Sequence, residues 1–381
     1  MSRGLYKELA LLTGLTSVGL LLLGKKSWGA ALGLGCAGFA LLPTENYSFR
    51  NRVAVITGGS RGLGLALAKE LVHQGASIAI LARDTIELER AKQHLASISS
   101  DAKVLAVRCD ITQDEELQQA FNQIESHYGR LDLLINNAGS IAVGPFETMG
   151  QADFDSQLNL QIHAVIQAVR LAIPAFRRVG SGRIVNISSI GGIIPVPHMS
   201  TYCTAKFALA GLSESIASEL ALDNIKVTTV YPGLMRTGSP IQAVFKGNHE
   251  KEYAWFASGD VTPGLSVAAN EAAHLILEGV RQGNARVTYP LITKIGIIGH
   301  AVLPETYAFI MRSAARFMPK SSVTLRKTGA ESKHWLDRQL WYKPLKKMQH
   351  NAEQEYNQVD KYDAKYNLGL THSLAEPSYS I

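Results

Sequence analysis

Cysteine is nearly missing from this chain. Its 381 residues include three, Cys36, Cys109 and Cys203, too far apart for a disulfide framework or a spaced metal site, so a reducing compartment is expected for the body. Cys-x-x-Cys and His-x-x-x-His pairs do not occur, and no structural metal is expected. Charged residues make up 18% and aromatics 7%, yet 46% of the chain is apolar, which excludes disorder, and its 33 glycines follow no collagen period. No apolar run reaches the ~20 residues of a secure spanning helix, which excludes an all-membrane protein. A concentrated basic footprint is also lacking. The formal charge of +6 comes from the ends, +4 from residues 1–52 and +3 from 320–381, leaving 53–319 at −1. A near-neutral body argues against nucleic acid.

The N-terminus does hold two shorter apolar runs, Leu9 to Leu23 and Gly29 to Leu42, separated by Lys25, Lys26, Ser27 and Trp28. A membrane hairpin, one span plus an interfacial piece, a buried soluble hairpin and a cleaved signal peptide are the competing readings, the last disfavoured because no A-x-A site follows the first run. Arg3, Lys7, Arg50 and Arg52 flank the ends of the pair. By the positive-inside rule they point both ends, and the body after them, to the cytoplasm. Residues 1–50 are therefore read as a hydrophobic membrane segment.

From Arg52 the text alternates strand and helix. RVAVITGG, a strand entering a glycine turn, and SIAILAR, KVLAVRCDI, LDLLINNAG, GRIVNISS, IKVTTVYPG and ARVTY are strands of Val, Ile and Leu without polar alternation. Such strands are buried on both faces, as in a parallel sheet covered by helices, a doubly wound α/β fold. An irregular stretch is expected from Pro232 to Pro263, then a helix from about Val267 to Arg281. Residues 51–290 form the expected catalytic domain. The apolar segment 291–319 carries spaced Lys294, Arg312 and Arg316, and reads equally as an interfacial helix or a cover over the substrate site. Residues 320–381 read as a polar C-terminal extension with one helix near Trp335 to Tyr356 and a disordered last dozen residues. No internal repeat is present.

TGGSRGLG, Thr57 to Gly64, ends the first strand and opens a helix. Glycines 58, 62 and 64 let the backbone turn tightly and approach a pyrophosphate, whose charge meets the helix N-terminus. An NAD enzyme of this fold usually ends its second strand with an acidic residue for the ribose 2′-hydroxyl, whereas here Ala82 and then Arg83 stand there. With Arg61 in the glycine turn, Arg83 suits a 2′-phosphate, so NADP(H) is the expected cofactor. Tyr202 and Lys206, four apart on a helix, point into one cleft, where a cation would stabilise a phenolate and make the tyrosine an acid or base. Ser189 stands thirteen residues upstream.

Five motifs, TGGSRGLG, NNAG (Asn136 to Gly139), NISS with Ser189, YCTAK (Tyr202 to Lys206) and PGLMRT (Pro232 to Thr237), resemble those of the short-chain dehydrogenase/reductase family in order and spacing, over about Asn51 to Pro290. The resemblance implies a seven-stranded Rossmann sheet and hydride transfer between a nicotinamide and a carbonyl or alcohol. It implies that Tyr202 donates the proton, Ser189 orients the substrate oxygen, and Lys206 holds the nicotinamide ribose while tuning Tyr202. The implied cofactor set is Gly58, Ser60, Arg61, Gly62, Leu63 and Gly64 in the glycine turn, Arg83, Asp110 on the adenine side, and Asn137, Ala138 and Gly139 along the cleft. Pro232, Gly233 and Thr237, the last meeting the carboxamide, complete it with Tyr202 and Lys206. One position departs. The family's helix Asn, which supports a proton-relay water, falls at Gln161, with Asn159 out of register.

The expected function is an NADP-dependent oxidoreductase acting on a lipophilic carbonyl or alcohol at a membrane. Its competitor is a membrane-tethered nucleotide-binding sensor or scaffold with weakened catalysis, for which Gln161 is the support. A third reading uses the cofactor for epimerisation. Phe245, Tyr253, Trp255 and Phe256 suggest apolar pocket walls. His163 and His198 read as ordinary polar packing. Expected partners are the small molecule and membrane lipid, with room for a homo-oligomer.

Overall fold

Seven runs of branched aliphatic residues become the strands β1 (Val53–Thr57), β2 (Ser77–Ala82), β3 (Val104–Arg108), β4 (Leu133–Asn136), β5 (Gly182–Ile187), β6 (Ile225–Pro232) and β7 (Arg286–Tyr289). All pairings are parallel, in the order β7-β6-β5-β4-β1-β2-β3. The computed structural model describes residues 3–22, 47–262, 264–321 and 323–358. The chain reverses direction between β3 and β4, so the crevice above β1 and β4 is the topological switch point where ligands of open α/β sheets bind.

The described α-helices of eight or more residues are α1 (Arg3–Leu22), α2 (Gly62–His73), α3 (Thr85–Ala96), α4 (Asp114–Tyr128), α5 (Gln151–Leu158), α6 (Ala164–Val179), α7 (Ser200–Leu220), α8 (His249–Val261), α9 (Ala269–Arg281), α10 (Leu291–Val302), α11 (Pro304–Ala315) and α12 (Lys343–Glu355). Alternate strand residues feed two cores. Ala54 and Ile56 of β1 pack with α2, α3 and α9, while Val53 and Val55 pack with α4, α6 and α7. Burial of both faces explains why β1, β4 and β5 carry no polar alternation. The caps follow local chemistry. Asp84 accepts the amides of Ile86 and Glu87 to start α3, and Gly129 ends α4 in a left-handed conformation.

Three expectations change. The stretch from Pro232 to Pro263 is not irregular: it holds α8 and two short strands, Leu234–Arg236 and Val244–Lys246. The latter joins Ala142–Val143 and Arg326–Thr328 in a small sheet. The C-terminal extension, polar in composition, is packed onto the body through buried Leu336, Tyr342, Ala352 and Tyr356. Its last residues lie outside the described ones.

The third change concerns the anchor. The described part of the first apolar run, Leu9 to Leu22, belongs to α1, which starts at Arg3 and docks at its beginning, where the Gly4 amide donates to Asn284 Oδ1 at 2.9 Å. Among the described residues no helix is long and apolar enough to cross a membrane, so the expected transmembrane helix has no counterpart there. The second run lies outside the described residues.

Candidate active site at the strand ends

The turn after β1 and the turn after β4 are locked together. Thr57 Oγ1 accepts the amides of Asn137 and Ala138 at 3.0 and 3.1 Å, and Asn137 Nδ2 donates to the carbonyls of Thr57 and Gly58, both at 3.1 Å. Gly58 and Gly62 take positive φ, +66° and +57°, which side-chain-bearing residues rarely adopt. A Cβ on Gly64 would lie 2.1 Å from the Gly58 carbonyl oxygen, so only glycine lets α2 start this close to the turn. Gly58, Ser60, Gly62, Leu63, Gly64, Asn137, Ala138 and Gly139 thus surround one crevice, and this backbone cradle at a helix N-terminus fits a pyrophosphate.

The expected catalytic residues meet beside it. Ser189 caps the short turn after β5, its Oγ accepting the Gly191 amide at 3.1 Å, and its hydroxyl favours ionisation of the neighbouring Tyr202 phenol. Lys206, one turn along α7 from Tyr202, is buried. Its Nζ donates to the Ile187 carbonyl at 2.8 Å and lies 5.6 Å from the Tyr202 ring centroid. Ser188 Oγ donates to the Lys206 carbonyl at 2.9 Å, a brace for α7 that leaves Ser188 outside the reacting group.

Burial dominates the titration of this cluster. It pushes the Tyr202 phenol up to about 12, opposed by the Ser189 hydrogen bond and reinforced by Cys203 and Asp260. It pushes the Lys206 ammonium down to about 7. Removal from water thus outweighs the opposing Ser189 hydroxyl, and the phenol keeps its proton. Asp260 of α8, invisible in the motif reading, is itself pushed up to about 8 by burial.

Gln161 sits on a π-helical turn, Asn159–His163, between α5 and α6, a bulge often found at functional sites. It is buried; its Nε2 donates to the Ser140 carbonyl at 3.3 Å and to Gln157 Oε1. Its Oε1 is buried with no hydrogen-bond partner. A Cβ on Gly139 would lie 3.3 Å from that Oε1 and 3.7 Å from Lys206 Nζ, so an acceptor and an amine face one small space. Asn159 and His163 are exposed.

The arginines at the adenine end are less free than their sequence suggests. Arg61 Nη1 pairs with Glu87 Oε1 at 3.1 Å, and Ser60 Oγ donates to Glu87 Oε2 at 3.4 Å. Glu87 is buried; lying in the first turn of α3, four residues beyond Arg83, it escapes a search confined to the strand end. Arg83 is exposed, 3.8 Å from Asp110, and Asp110 Oδ1 accepts the Thr112 amide and hydroxyl. At the other end, Thr237 is buried and Gly233 follows Pro232 where a Cβ would meet Thr293 Oγ1 at 2.3 Å.

The aromatic residues after Pro232, read as pocket walls, pack against one another instead. Phe245, Tyr253 and Phe256 are buried in edge-to-face contacts, with Trp255 against Phe256, forming the core beneath α8 with Met199, Leu336 and Tyr342. His198 Nδ1 bonds Glu252 Oε1 at 2.8 Å and Trp255 Nε1 donates to Oε2 of the same carboxylate at 2.7 Å, the polar packing expected of His198. A groove of about 820 Å³ runs instead along the outer side of α7, between Pro195, Val196, Pro197, Cys203 and Phe207 and the residues His300, Tyr307 and Met311 of α10 and α11. Ser189, Tyr202 and Lys206 are not among its walls. Tyr307 ties α11 to the Pro195 carbonyl at 2.8 Å, six residues after Ser189.

Residues 52–244 match the family model described as short chain dehydrogenase. The chain is 32% identical to the 3alpha-hydroxysteroid dehydrogenase of Mediterraneibacter gnavus, covering 49% of this chain and 75% of that one. It is 31% identical to the putative oxidoreductase SadH of Mycobacterium tuberculosis, covering 71% and 98%. Among solved structures, L-sorbose reductase from Gluconobacter frateurii, complexed with NADPH and L-sorbose, superimposes with a TM-score of 0.57 at 26% identity, covering 64% of this chain and 96% of that one.

Lys206 supplies a test independent of turnover. Its pKa falls from 10.5 when unfolded to about 7 when folded, so between those values the unfolded chain binds more protons and stability rises with pH. Below pH 7 the burial cost is present in full. Lys206→Met should therefore raise Tm over wild type by more at pH 6 than at pH 9; an advantage independent of pH would show that Lys206 does not titrate in this window.

Proposed function

The chain belongs to the short-chain dehydrogenase family and is an oxidoreductase of that type, and from this premise we propose that it interconverts a lipophilic ketone and its alcohol with NADP(H) at a membrane surface. The observation that carries the reading is the convergence of Ser189, Tyr202 and Lys206 beside the glycine turn. When bound, the nicotinamide supplies the hydride in reduction and accepts it in oxidation. Tyr202, holding its proton throughout the neutral range, serves as general acid toward the oxygen that becomes the alcohol. Ser189, beside it, orients that oxygen. Lys206 holds the cofactor ribose and, neutral or charged near pH 7, passes protons to the space shared with Gln161 Oε1. Gln161 stands in for the family's Asn through that oxygen, which supports a working relay. Tyr202→Phe keeps the ring and should still bind cofactor while turnover falls at least ~100-fold. In the wild type, alcohol oxidation should gain about tenfold per pH unit between pH 7 and 9, because it needs the scarce phenolate, while ketone reduction stays flat. A Tyr202→Phe variant at near wild-type rate would assign the acid elsewhere.

The NADP(H) choice is supported by Arg61 and exposed Arg83 beside a strand end without a carboxylate. Gly58, Ser60, Gly62, Leu63 and Gly64 would hold the pyrophosphate side, Asp110 the adenine, Asn137 to Gly139 the cleft, and Pro232, Gly233 and Thr237 the carboxamide end. Glu87 competes for Arg61, which makes Arg83 the decisive contact. Arg83→Ala should cost NADPH about 1.5 to 3 kcal/mol of binding, as expected for hydrogen bonds to a charged group, and NADH far less. Equal NADH and NADPH affinity in the unmodified protein would overturn this choice.

The lipophilic substrate and membrane readings rest on the outer surface. Leu291, Ile298, Phe309 and Phe317 are 71, 63, 66 and 89% exposed on or just after α10 and α11, the helices that roof the groove along α7. Arg312, Arg316 and Lys294 are interspersed, and α1 exposes Leu11, Leu12, Leu15 and Val18. A patch this apolar with basic residues suits a bilayer interface. The division into residues 1–50 as membrane segment, 51–290 as catalytic domain, 291–319 as cover and 320–381 as extension is kept, with the body on the cytoplasmic side. Held by apolar insertion, the full chain should stay on membranes at 1 M salt, where the Debye length is ~3 Å, and leave with detergent. Recovery in the soluble fraction at low salt without detergent would refute membrane association.

A further inference from the structure

The glycine turn is covered by a part of the chain nearly 300 residues away. The Gly62 amide, at the N-terminus of α2, donates to the Tyr356 carbonyl at 2.9 Å. Asn357, left-handed at φ +57°, donates through Nδ2 to the Ser60 carbonyl at 2.8 Å and the Glu87 carbonyl at 3.0 Å. Gln358 is buried, 3% exposed, and its amide donates to the Glu353 carbonyl at 2.7 Å. A Cβ added to Gly62 would lie 3.0 Å from Gln358 Nε2 and 4.0 Å from Thr237 Cβ. Gln358 therefore fills the gap between the glycine turn and Thr237, and its Oε1 has no hydrogen-bond partner.

The anchor of this segment is distinct from its tip. Tyr356 is buried in the sheet's main core, its hydroxyl accepts the Asn270 amide at 3.2 Å, and Lys69 Nζ lies 5.8 Å from its ring centroid. The backbone of Glu353 packs on Gly238, where a Cβ would meet it at 2.7 Å. Tyr356 and Glu353 thus hold the segment in place, while Asn357 and Gln358 cover the turn.

First-turn amides of a helix have no partner within the helix and are where an anion binds. In this chain a neutral carbonyl oxygen takes one of them, and the side chain of Gln358 takes the volume over Gly62. A dinucleotide whose pyrophosphate lies on the same turn needs both. We propose that residues 353–358 are a built-in plug of the cofactor site, so that the seated C-terminal segment and a bound dinucleotide exclude one another. The proposal rests on the reading of the glycine turn as a dinucleotide site. Its consequence is that apparent cofactor affinity is the intrinsic affinity reduced by the fraction of molecules with the plug lifted. Whatever draws the segment off the turn switches the enzyme on without touching Ser189, Tyr202 or Lys206.

The test uses the full chain and the double variant Asn357→Ala, Gln358→Ala, which spares Tyr356 and α12. Calorimetric titration with NADPH should give a dissociation constant at least ~5-fold lower for the variant than for wild type, as removal of a closed-state tax requires. Hydrogen exchange in the wild type should show amides of 353–358 exchanging faster when NADPH is saturating. A wild-type-like dissociation constant with unchanged exchange would overturn the plug while leaving the dinucleotide site intact. A weaker dissociation constant with slower exchange would overturn it in favour of a segment that lines the cofactor. Absence of NADPH and NADH binding to the variant would overturn the dinucleotide reading and the plug together. A chain ending at Tyr356 gives the same comparison if the double variant folds poorly.

Discussion

The structure depends on the lock between Thr57 and Asn137. One hydroxyl and one carboxamide tie the turn after β1 to the turn after β4, across the point where the sheet changes its winding direction. Strand ends that are otherwise joined only by their ladder are thereby held as one rim. On that rim the glycine turn faces the cleft, and β5 delivers Ser189 beside it. A second polar chain crosses the buried sheet from Asn136 to Asn186, on to Ser213 of α7 and then to Thr229. It fixes the helix carrying Tyr202 and Lys206 relative to β4, β5 and β6. Buried polar chains of this kind set position at an energetic cost that apolar packing has to offset.

The position so fixed explains the chemistry. Lys206 is buried and Tyr202 half-buried, and burial drives their proton affinities apart, the phenol up to about 12 and the amine down to about 7. Each is thereby more disposed to its neutral form. A proton held on the tyrosine suits reduction. The amine near neutrality, together with the uncommitted oxygen of Gln161, suits a group that restores that proton from water. The π-helical turn places the Gln161 amide beside the small space that Lys206 also faces.

Much of this was legible in the sequence because it is local. Seven apolar runs became seven parallel strands, and Tyr202, Lys206 and Ser189 met because helix period and strand end set their directions. Helix α8 was missed: HEKEYAWFASGDV has apolar and charged residues with no clear face, and it is stabilised by packing against Leu336 and Tyr342, far along the chain. Glu87 was missed because it lies one helical turn past the strand end, on a different element from Arg61, its partner 26 positions earlier. The contact of Asn357 with Ser60 was beyond any pattern, since no periodicity relates residues 297 positions apart. The aromatic group after Pro232 misled because an aromatic cluster reads alike whether it packs a lid or lines a pocket.

The central claim is that this rim transfers hydride between a nicotinamide and a lipophilic carbonyl. It is tested most directly by incubating the full chain with NADPH carrying deuterium on nicotinamide C4 and a series of lipophilic ketones, followed by mass spectrometry of the products. The account predicts an alcohol with deuterium on its carbinol carbon, from one face of the nicotinamide only. Alcohol formed without deuterium from either face, or no alcohol from any ketone in the series, would contradict it.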